Sequence, residues 1–356
     1  MPSINVVVES GVNRTAALTK IEGMFDLDKN EPLKKEWNID ANIPDEWSIG
    51  LIVGPSGAGK SQVANKMWPA NIVRGFEWPK DKCVIDGFSS GVKEVTSSLN
   101  AVGFSSPPSW RKPFHVLSNG EKFRCELARA ILEAPSPVVF DEFTSVVDRT
   151  VAKIGSKAVS KAVRRQGKQF IAVSCHDDII EWLQPDWVIQ PHLQSFERRS
   201  LQPTPEIELT VQQVGRESWQ MFREHHYLSH TLHGAAKCWC AFWGNVPVAF
   251  SSWVHFPHPK VKNAFREHRT VVLPDYQGVG IGNKLSEFMS SHYKQQGKVV
   301  YSTTSAPSMI KHRARSKNWA MIRKPSHLQS SKNGALFNQG RGSASRITAS
   351  FRYVGN

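Results

Sequence analysis

The chain has 356 residues, more than one ordinary domain needs and comfortable for two. Apolar residues make up 40% of it, which is enough for packed cores and excludes wholesale disorder. Lys and Arg number 45 against 31 Asp and Glu, a formal charge of +14. No apolar run approaches the roughly 20 residues of a spanning helix. The opening MPSINVVVES lacks the basic start and apolar stretch of a secretion signal. The five cysteines are scattered and form no disulfide framework. These features lead us to expect a cytoplasmic protein with no membrane segment.

The charge is uneven. Residues 201–356 hold 20 Lys and Arg against 7 Asp and Glu, a net +13. That leaves 25 against 24, a net +1, for residues 1–200. Ten of the 13 histidines also lie after residue 200. The composition changes across a stretch with three prolines and little apolar periodicity. We expect domains at 1–195 and 207–356, joined by a linker at 196–206.

Residues 47–53 read as a buried strand. They run into GPSGAGKS, which fits G-x-x-x-x-G-K-S with Gly54, Gly59, Lys60 and Ser61 in the fixed places and Gly57 between them. Glycines let backbone N–H groups curl around phosphate oxygens without side-chain clash. Lys60 is placed to neutralise the outer phosphates, and the Ser61 hydroxyl to bind Mg²⁺. The helix expected over 60–68 directs its positive end at the same phosphates.

Residues 136–142, SPVVFDE, form an apolar strand that ends in two acids. Asp141 is placed to hold Mg²⁺, and Glu142 to polarise an attacking water. Upstream, LSNGEKFRCELARAIL over 117–132 reads as a helix capped by Ser118, with Gly120 permitting close backbone approach. Residues 171–177, IAVSCHD, form a strand that ends at His176.

Together these pieces resemble the ABC-type ATPases. Ser118 and Gly120 stand in the signature motif, with Asn119 in place of a glycine and Glu121 in place of a glutamine. SVVD at 145–148 stands at the D-loop, and His176 at the switch histidine. The resemblance implies ATP and Mg²⁺ as cofactors. It also implies a homodimer that closes around two nucleotides, with the signature helix facing the γ-phosphate bound by the other subunit. Phe25 and Trp37 are the candidates for stacking on adenine. Only 57 residues separate Lys60 from Ser118, which is short for a transporter-type helical arm, and the stretch has no convincing Q-loop glutamine.

The second domain begins with an expected strand at 207–214 and a helix at 217–225. Strands at 237–243 and 246–254 follow, joined by the turn signal Gly244-Asn245. A further strand at 266–273 leads into PDYQGVGIGNKLSEFM. Gln277, Gly278, Gly280 and Gly282 then open a helix expected over 279–295. A strand (298–303), a helix (306–316) and strands at 319–323 and 346–354 complete the order.

Gln277, Gly280 and Gly282 match Q/R-x-x-G-x-G/A, and the element order resembles the GNAT acyltransferases. That resemblance implies a pyrophosphate loop for acetyl-CoA or another acyl-CoA. The expected fold class is therefore α/β throughout, a P-loop ABC-type domain followed by a GNAT-like mixed α/β domain. No tyrosine occurs in 306–319, where many relatives keep a general acid. Candidate proton carriers are Glu267, His268, Tyr301 and Ser305 near the central strands, and His226 and Tyr227 on the substrate side. HHYLSHTLH at 225–233, followed by Cys238 and Cys240, reads as the lining of a cleft in preference to a metal site.

Basic residues cluster at 260–269 and 311–324, with Trp253, Phe256, Phe265 and Trp319 among them. Such mixing suits phosphate contacts and base stacking, so nucleic acid is the expected partner. The HHYLSH segment and RTVVLPDYQGVGIG also resemble the Mom-type phage enzymes, which modify adenine in DNA. The leading expectation is an ATPase fused to an acyltransferase that acts on a nucleic acid. The alternatives are a mobile-element nucleic-acid module whose GNAT-like domain is non-catalytic, and an acetyltransferase for proteins or small amines.

Overall fold

The computed structural model describes residues 3–10, 15–26, 33–202, 207–226, 230–327 and 347–355. The elements run β1 (Ser3–Ser10), α1 (Ala16–Phe25), β2 (Leu33–Asp40), β3 (Ile49–Val53), α2 (Lys60–Met67), β4 (Ile72–Val73), α3 (Val92–Ala101), α4 (Pro107–Trp110), α5 (Asn119–Glu133), β5 (Val138–Phe140), α6 (Arg149–Gln166), β6 (Phe170–Ser174), α7 (Ile179–Leu183), β7 (Trp187–Gln190) and β8 (Ser195–Arg198). They continue with β9 (Thr210–Val214), α8 (Trp219–Phe222), β10 (Lys237–Trp243), β11 (Val246–His255), β12 (Ala264–Val272), α9 (Ile281–Gln295), β13 (Val299–Thr304), α10 (Pro307–Arg313), β14 (Trp319–His327) and β15 (Ile347–Tyr353).

The chain divides into two compact units. The first comprises Met1–Pro79, Asp86–Val102 and Ser118–Thr204; the second comprises Lys80–Ile85, Gly103–Leu117 and Pro205–Asn356. Two short segments from the middle of the N-terminal half therefore belong to the second unit.

In the first unit a six-stranded sheet has the order β4-β5-β6-β3-β7-β8, and β1 pairs with β2 in a separate antiparallel ribbon. Every residue of β3, β5 and β6 is buried. That fits parallel strands covered on both faces, and explains why they read as unbroken apolar runs. β5, β6 and β3 are neighbours and run parallel, so their carboxyl ends lie side by side. Gly54, Asp141 and His176 all follow those ends, in the place where open parallel sheets bind ligands.

The second unit is a seven-stranded sheet of order β14-β15-β13-β12-β11-β10-β9. All its pairs are antiparallel except β12 with β13, which α9 connects as a crossover. Leu285, Met289 and Tyr293 of α9 pack on one sheet face against Trp253, Phe265, Val300 and Phe351. On the opposite face, Trp219 and Phe222 of α8 cover Cys238, Cys240 and Phe250. This burial pushes the Cys240 thiol up to about 12. Among the described residues no group of three or more His, Cys, Asp or Glu is placed to hold a metal. Among them, too, no helix is long and apolar enough to cross a membrane.

The helix expected at 217–225 is broken into a 3-10 turn at Arg216–Ser218, the single turn of α8, and another 3-10 turn at Arg223–His225. The aromatics expected to mix with surface cations also separate. Trp253, Phe265 and Trp319 are buried in the core, and only Phe256 of the four is part-exposed.

Candidate active sites

The first site is built on the loop between β3 and α2. Gly54, Gly57 and Gly59 have φ of 154°, 77° and 85°, a backbone region that only glycine enters freely. Gly59 is the N-cap of α2 and brings the free N–H groups of that helix start to the loop. A Cβ on Gly54 would meet His192 Nδ1 at 2.6 Å, and one on Gly59 would meet the Trp37 ring at 2.3 Å. Trp37 is buried beneath the loop, while Phe25 is exposed on α1. Of the two adenine-stacking candidates, Trp37 is thus occupied in packing.

Ser61 and Asp141, 80 residues apart, are brought together: Ser61 Oγ donates to Asp141 Oδ1 at 3.2 Å. A hydroxyl beside a carboxylate under a curled glycine loop is a donor set that fits Mg²⁺ with a nucleotide phosphate. Lys60 Nζ donates to Pro55 O at 2.8 Å, so its ammonium lies over the loop that phosphates would fill. Glu142 is exposed in a left-handed conformation at φ 56°, and its N–H donates to Asp141 Oδ1 at 3.0 Å. His176 lies 3.5 Å from Thr144 Oγ1 through Nδ1. Ser118 caps α5 in a reciprocal box: its Oγ accepts from Glu121 N, and Glu121 Oε2 accepts from Ser118 N. Gly120 is buried in the first turn.

One partner escaped the sequence reading. Arg74 Nε stands 3.6 Å from Asp141 Oδ2, immediately after β4. Only its place after the short strand IV could have pointed to it.

The second site lies where β12 and β13 part. The two strands pair only through Ala264–Val299, Phe265–Val300 and Arg266–Tyr301. β12 then continues to Val272 and β13 to Thr304 without further pairing, which leaves a notch between them. Past the end of β12 come Gln277, Gly278 at φ 93°, Gly280 at φ 99° and Gly282. Gly280 is the N-cap of α9, so this loop too opens a long helix with unpaired N–H groups. A Cβ on Gly282 would meet Val272 Cγ2 at 3.2 Å. The Gln277 side chain is engaged: its Oε1 accepts from Ser105 N at 2.7 Å, and its Nε2 donates to Val272 O at 2.8 Å.

The candidate proton carriers differ sharply. Glu267 is buried in a network with Arg313 Nη2 at 2.7 Å, Ser302 Oγ at 2.6 Å, and the Thr270 hydroxyl. Burial alone would raise its carboxyl; the Arg313 guanidinium and the hydroxyl hydrogen bonds outweigh that and hold it below the ordinary value. His268 is pushed down to about 4 by burial and by Arg269, Arg266 and His233. Its Nε2 accepts from His233 N at 3.2 Å. Tyr301 is part-exposed and stacks on His258. His226 is buried with its ring 5.6 Å from Trp219. Tyr227 lies outside the described residues. Arg313 lies in the run KHRARSK, which the sequence suggests for phosphate contacts; here it is 1% exposed with Trp319 under its guanidinium at 4.4 Å, so it is not part of a phosphate-binding surface.

The profile of the acetyltransferase (GNAT) family matches residues 177–313. An uncharacterised ABC transporter ATP-binding protein of Methanocaldococcus jannaschii is 24% identical over 185 residues. That match takes in 48% of this chain and 32% of the other, so it spans about a third of the relative's length. Among solved structures, a dimeric ATP-binding cassette bound to ADP and Pi matches at TM-score 0.40 and 15% identity, over 56% of this chain and 97% of that one. A Bacillus subtilis acetyltransferase in complex with CoA matches at TM-score 0.30 and 11% identity, over 41% and 98%. The chain joins an ABC ATPase-like N-terminal region to a GNAT-like C-terminal region, both of mixed α/β structure.

Proposed function

We propose that this chain hydrolyses ATP in its N-terminal region and transfers an acyl group from acyl-CoA to an amino group of a nucleic-acid base in its C-terminal region. The observation that carries the reading is the presence of two phosphate loops in one chain. Each has left-handed glycines opening a helix, and the second lies in a part of the chain with net charge +13. A polyanionic acceptor suits that surplus.

At the first site Ser61 and Asp141 would hold Mg²⁺, which would supply neutralising charge to the phosphates. Lys60 turns from Pro55 to the outer phosphates. Glu142 orients the water, and His176 reads the terminal phosphate. A homodimer closed over two nucleotides would clamp the nucleic acid and release it after hydrolysis.

At the second site the N–H groups of Gly278–Gly282 bind the CoA pyrophosphate, and the β12–β13 notch admits the acyl arm. The acceptor nitrogen forms a bond to the acyl carbon as the carbon–sulfur bond breaks. The nitrogen gives up a proton, and CoA leaves as the thiol. His268 takes up that proton once His233 N–H yields its Nε2; burial and the neighbouring Arg269 and Arg266 disfavour its cationic form, so it passes the proton on. Glu267, locked to Arg313, orders the notch as a positioning residue.

A second reading, a nucleic-acid grip without acyl chemistry, draws support from the engagement of Gln277 by Ser105 and Val272. One experiment separates the two. Nucleosides from cells expressing the wild type, Glu142→Gln, or the Gly280→Glu, Gly282→Glu double variant are compared by mass spectrometry. An acyl-bearing nucleoside found only with the wild type is the expected result. Acyl groups appearing on protein or on small amines alone, or no new mass at all, would overturn the transfer reading.

A further inference from the structure

Helix α9 covers one face of β12, β13 and β15; the other face is exposed along a cross-strand row. In register, Arg266 of β12 pairs with Tyr301 of β13, and Tyr301 with Arg352 of β15. Directly paired residues project to the same face of a sheet, and their neighbours Phe265, Val300 and Phe351 project into the core. Arg352 is exposed, and Arg266 and Tyr301 are part-exposed. Neighbouring strands lie about 5 Å apart, so the row presents a cation, a ring and a cation over about 10 Å.

Further aromatic groups frame the ring. His258 is parallel to Tyr301, with centroids 5.5 Å apart and planes 6° apart. Phe256 meets Tyr301 edge-on at 5.8 Å and carries the Arg266 guanidinium at 4.9 Å from its centroid. The next row is polar, with the Thr303 and Ser350 hydroxyls 3.0 Å apart and Arg323 paired to Ser350. The only carboxylate on β12, β13, β14 or β15 is Glu267, and it is turned inward to Arg313. Nothing acidic on these strands offsets the row.

We infer that this sheet face binds single-stranded nucleic acid, with Arg266 and Arg352 on successive phosphates and Tyr301 stacked against a base. Alternating cation and ring matches alternating phosphate and base; an acidic peptide would use the cations and leave the rings without a role. The assignment deepens the nucleic-acid reading above by naming the surface that holds the acceptor, and it rests on that reading.

The test is fluorescence anisotropy of the full chain with a labelled single-stranded oligodeoxynucleotide across a salt series. Tyr301→Ala should weaken binding about 5- to 150-fold, the span expected for one stacked base, with Tyr301→Phe restoring it. The Arg266→Ala, Arg352→Ala double variant should lower the salt slope by about 1.4, the value for two phosphate contacts on a single strand. Lys284→Ala, on the exposed side of α9, removes the same kind of charge elsewhere and should bind as the wild type. Wild-type affinity in Tyr301→Ala and in the double arginine variant would overturn the assignment, as would equal loss in Lys284→Ala. The two readings fail separately. Oligonucleotide binding that follows Tyr301 without any acylated nucleoside would keep this face and remove the transfer chemistry. Acylated nucleosides with unchanged binding in the variants would do the reverse.

Discussion

Gly57 and Gly59 share a left-handed backbone and differ in what surrounds them. A Cβ at Gly57 meets nothing within 4 Å, and one at Gly59 runs into the buried Trp37 ring. Gly57→Ala should therefore cost only the left-handed penalty, roughly 1–2 kcal/mol. Gly59→Ala carries that penalty and must also move a core tryptophan, about 1–3 kcal/mol more. Urea unfolding of the two variants compares them directly, and equal losses would refute the packing argument. The glycine positions were legible in the sequence because a loop that turns through left-handed backbone into a helix start fixes the residue type. Trp37 as the floor of the loop was not, since a contact across two sheets leaves no local pattern. For the same reason the cationic stretches hid a division that burial makes plain, with Phe256 part-exposed and Trp253, Phe265 and Trp319 inside.

At the level of elements, one buried ion pair ties four together. Glu267 of β12 meets Arg313 of α10, and their network includes Ser302 of β13 and Ser286 of α9. Removing one partner leaves a bare charge in the core, which typically costs about 3–5 kcal/mol, whereas replacing both with apolar groups is often near neutral. Arg313→Met should thus destabilise by roughly that amount, and Glu267→Leu combined with Arg313→Met should recover most of the loss. Thermal melts of the single and double variants decide it; a double variant worse than the single would mean that the pair is favourable in its own right. The strands of this unit were largely legible because β-branched and aromatic residues gather in short runs bounded by turn residues. β10 falls where the turn Gly244-Asn245 predicts, and β11 extends one residue past its expected end. The helix at 217–225 was legible only as a helical tendency, because its residues divide between α8 and two flanking 3-10 turns. The membership of Gly103–Leu117 in the second unit had no signal, since Ser105 binds Gln277 through a backbone N–H that every residue but proline carries.

For the whole molecule, the charge is divided unevenly between the two halves. Residues 1–200 carry almost no surplus charge; the surplus sits after residue 200. The start of α5 is exposed at Ser118 and Asn119. Ser118 and Glu121 satisfy each other, yet the first-turn N–H of Asn119 has no partner within the helix. A helix start attracts negative charge, and a nucleotide held by a second copy of the chain would supply it. With hydrolysis blocked by Glu142→Gln, Mg²⁺ and ATP should therefore shift the chain to about twice its 39.9 kDa mass in light scattering coupled to size exclusion. ADP in place of ATP, or chelation of the metal, should return the single-chain mass. Asn119 is exposed, so Asn119→Glu leaves packing intact while setting a carboxylate against the incoming phosphate, and that added change should abolish the shift. A single-chain mass for Glu142→Gln at saturating ATP would remove the dimer from the mechanism, and the clamp with it.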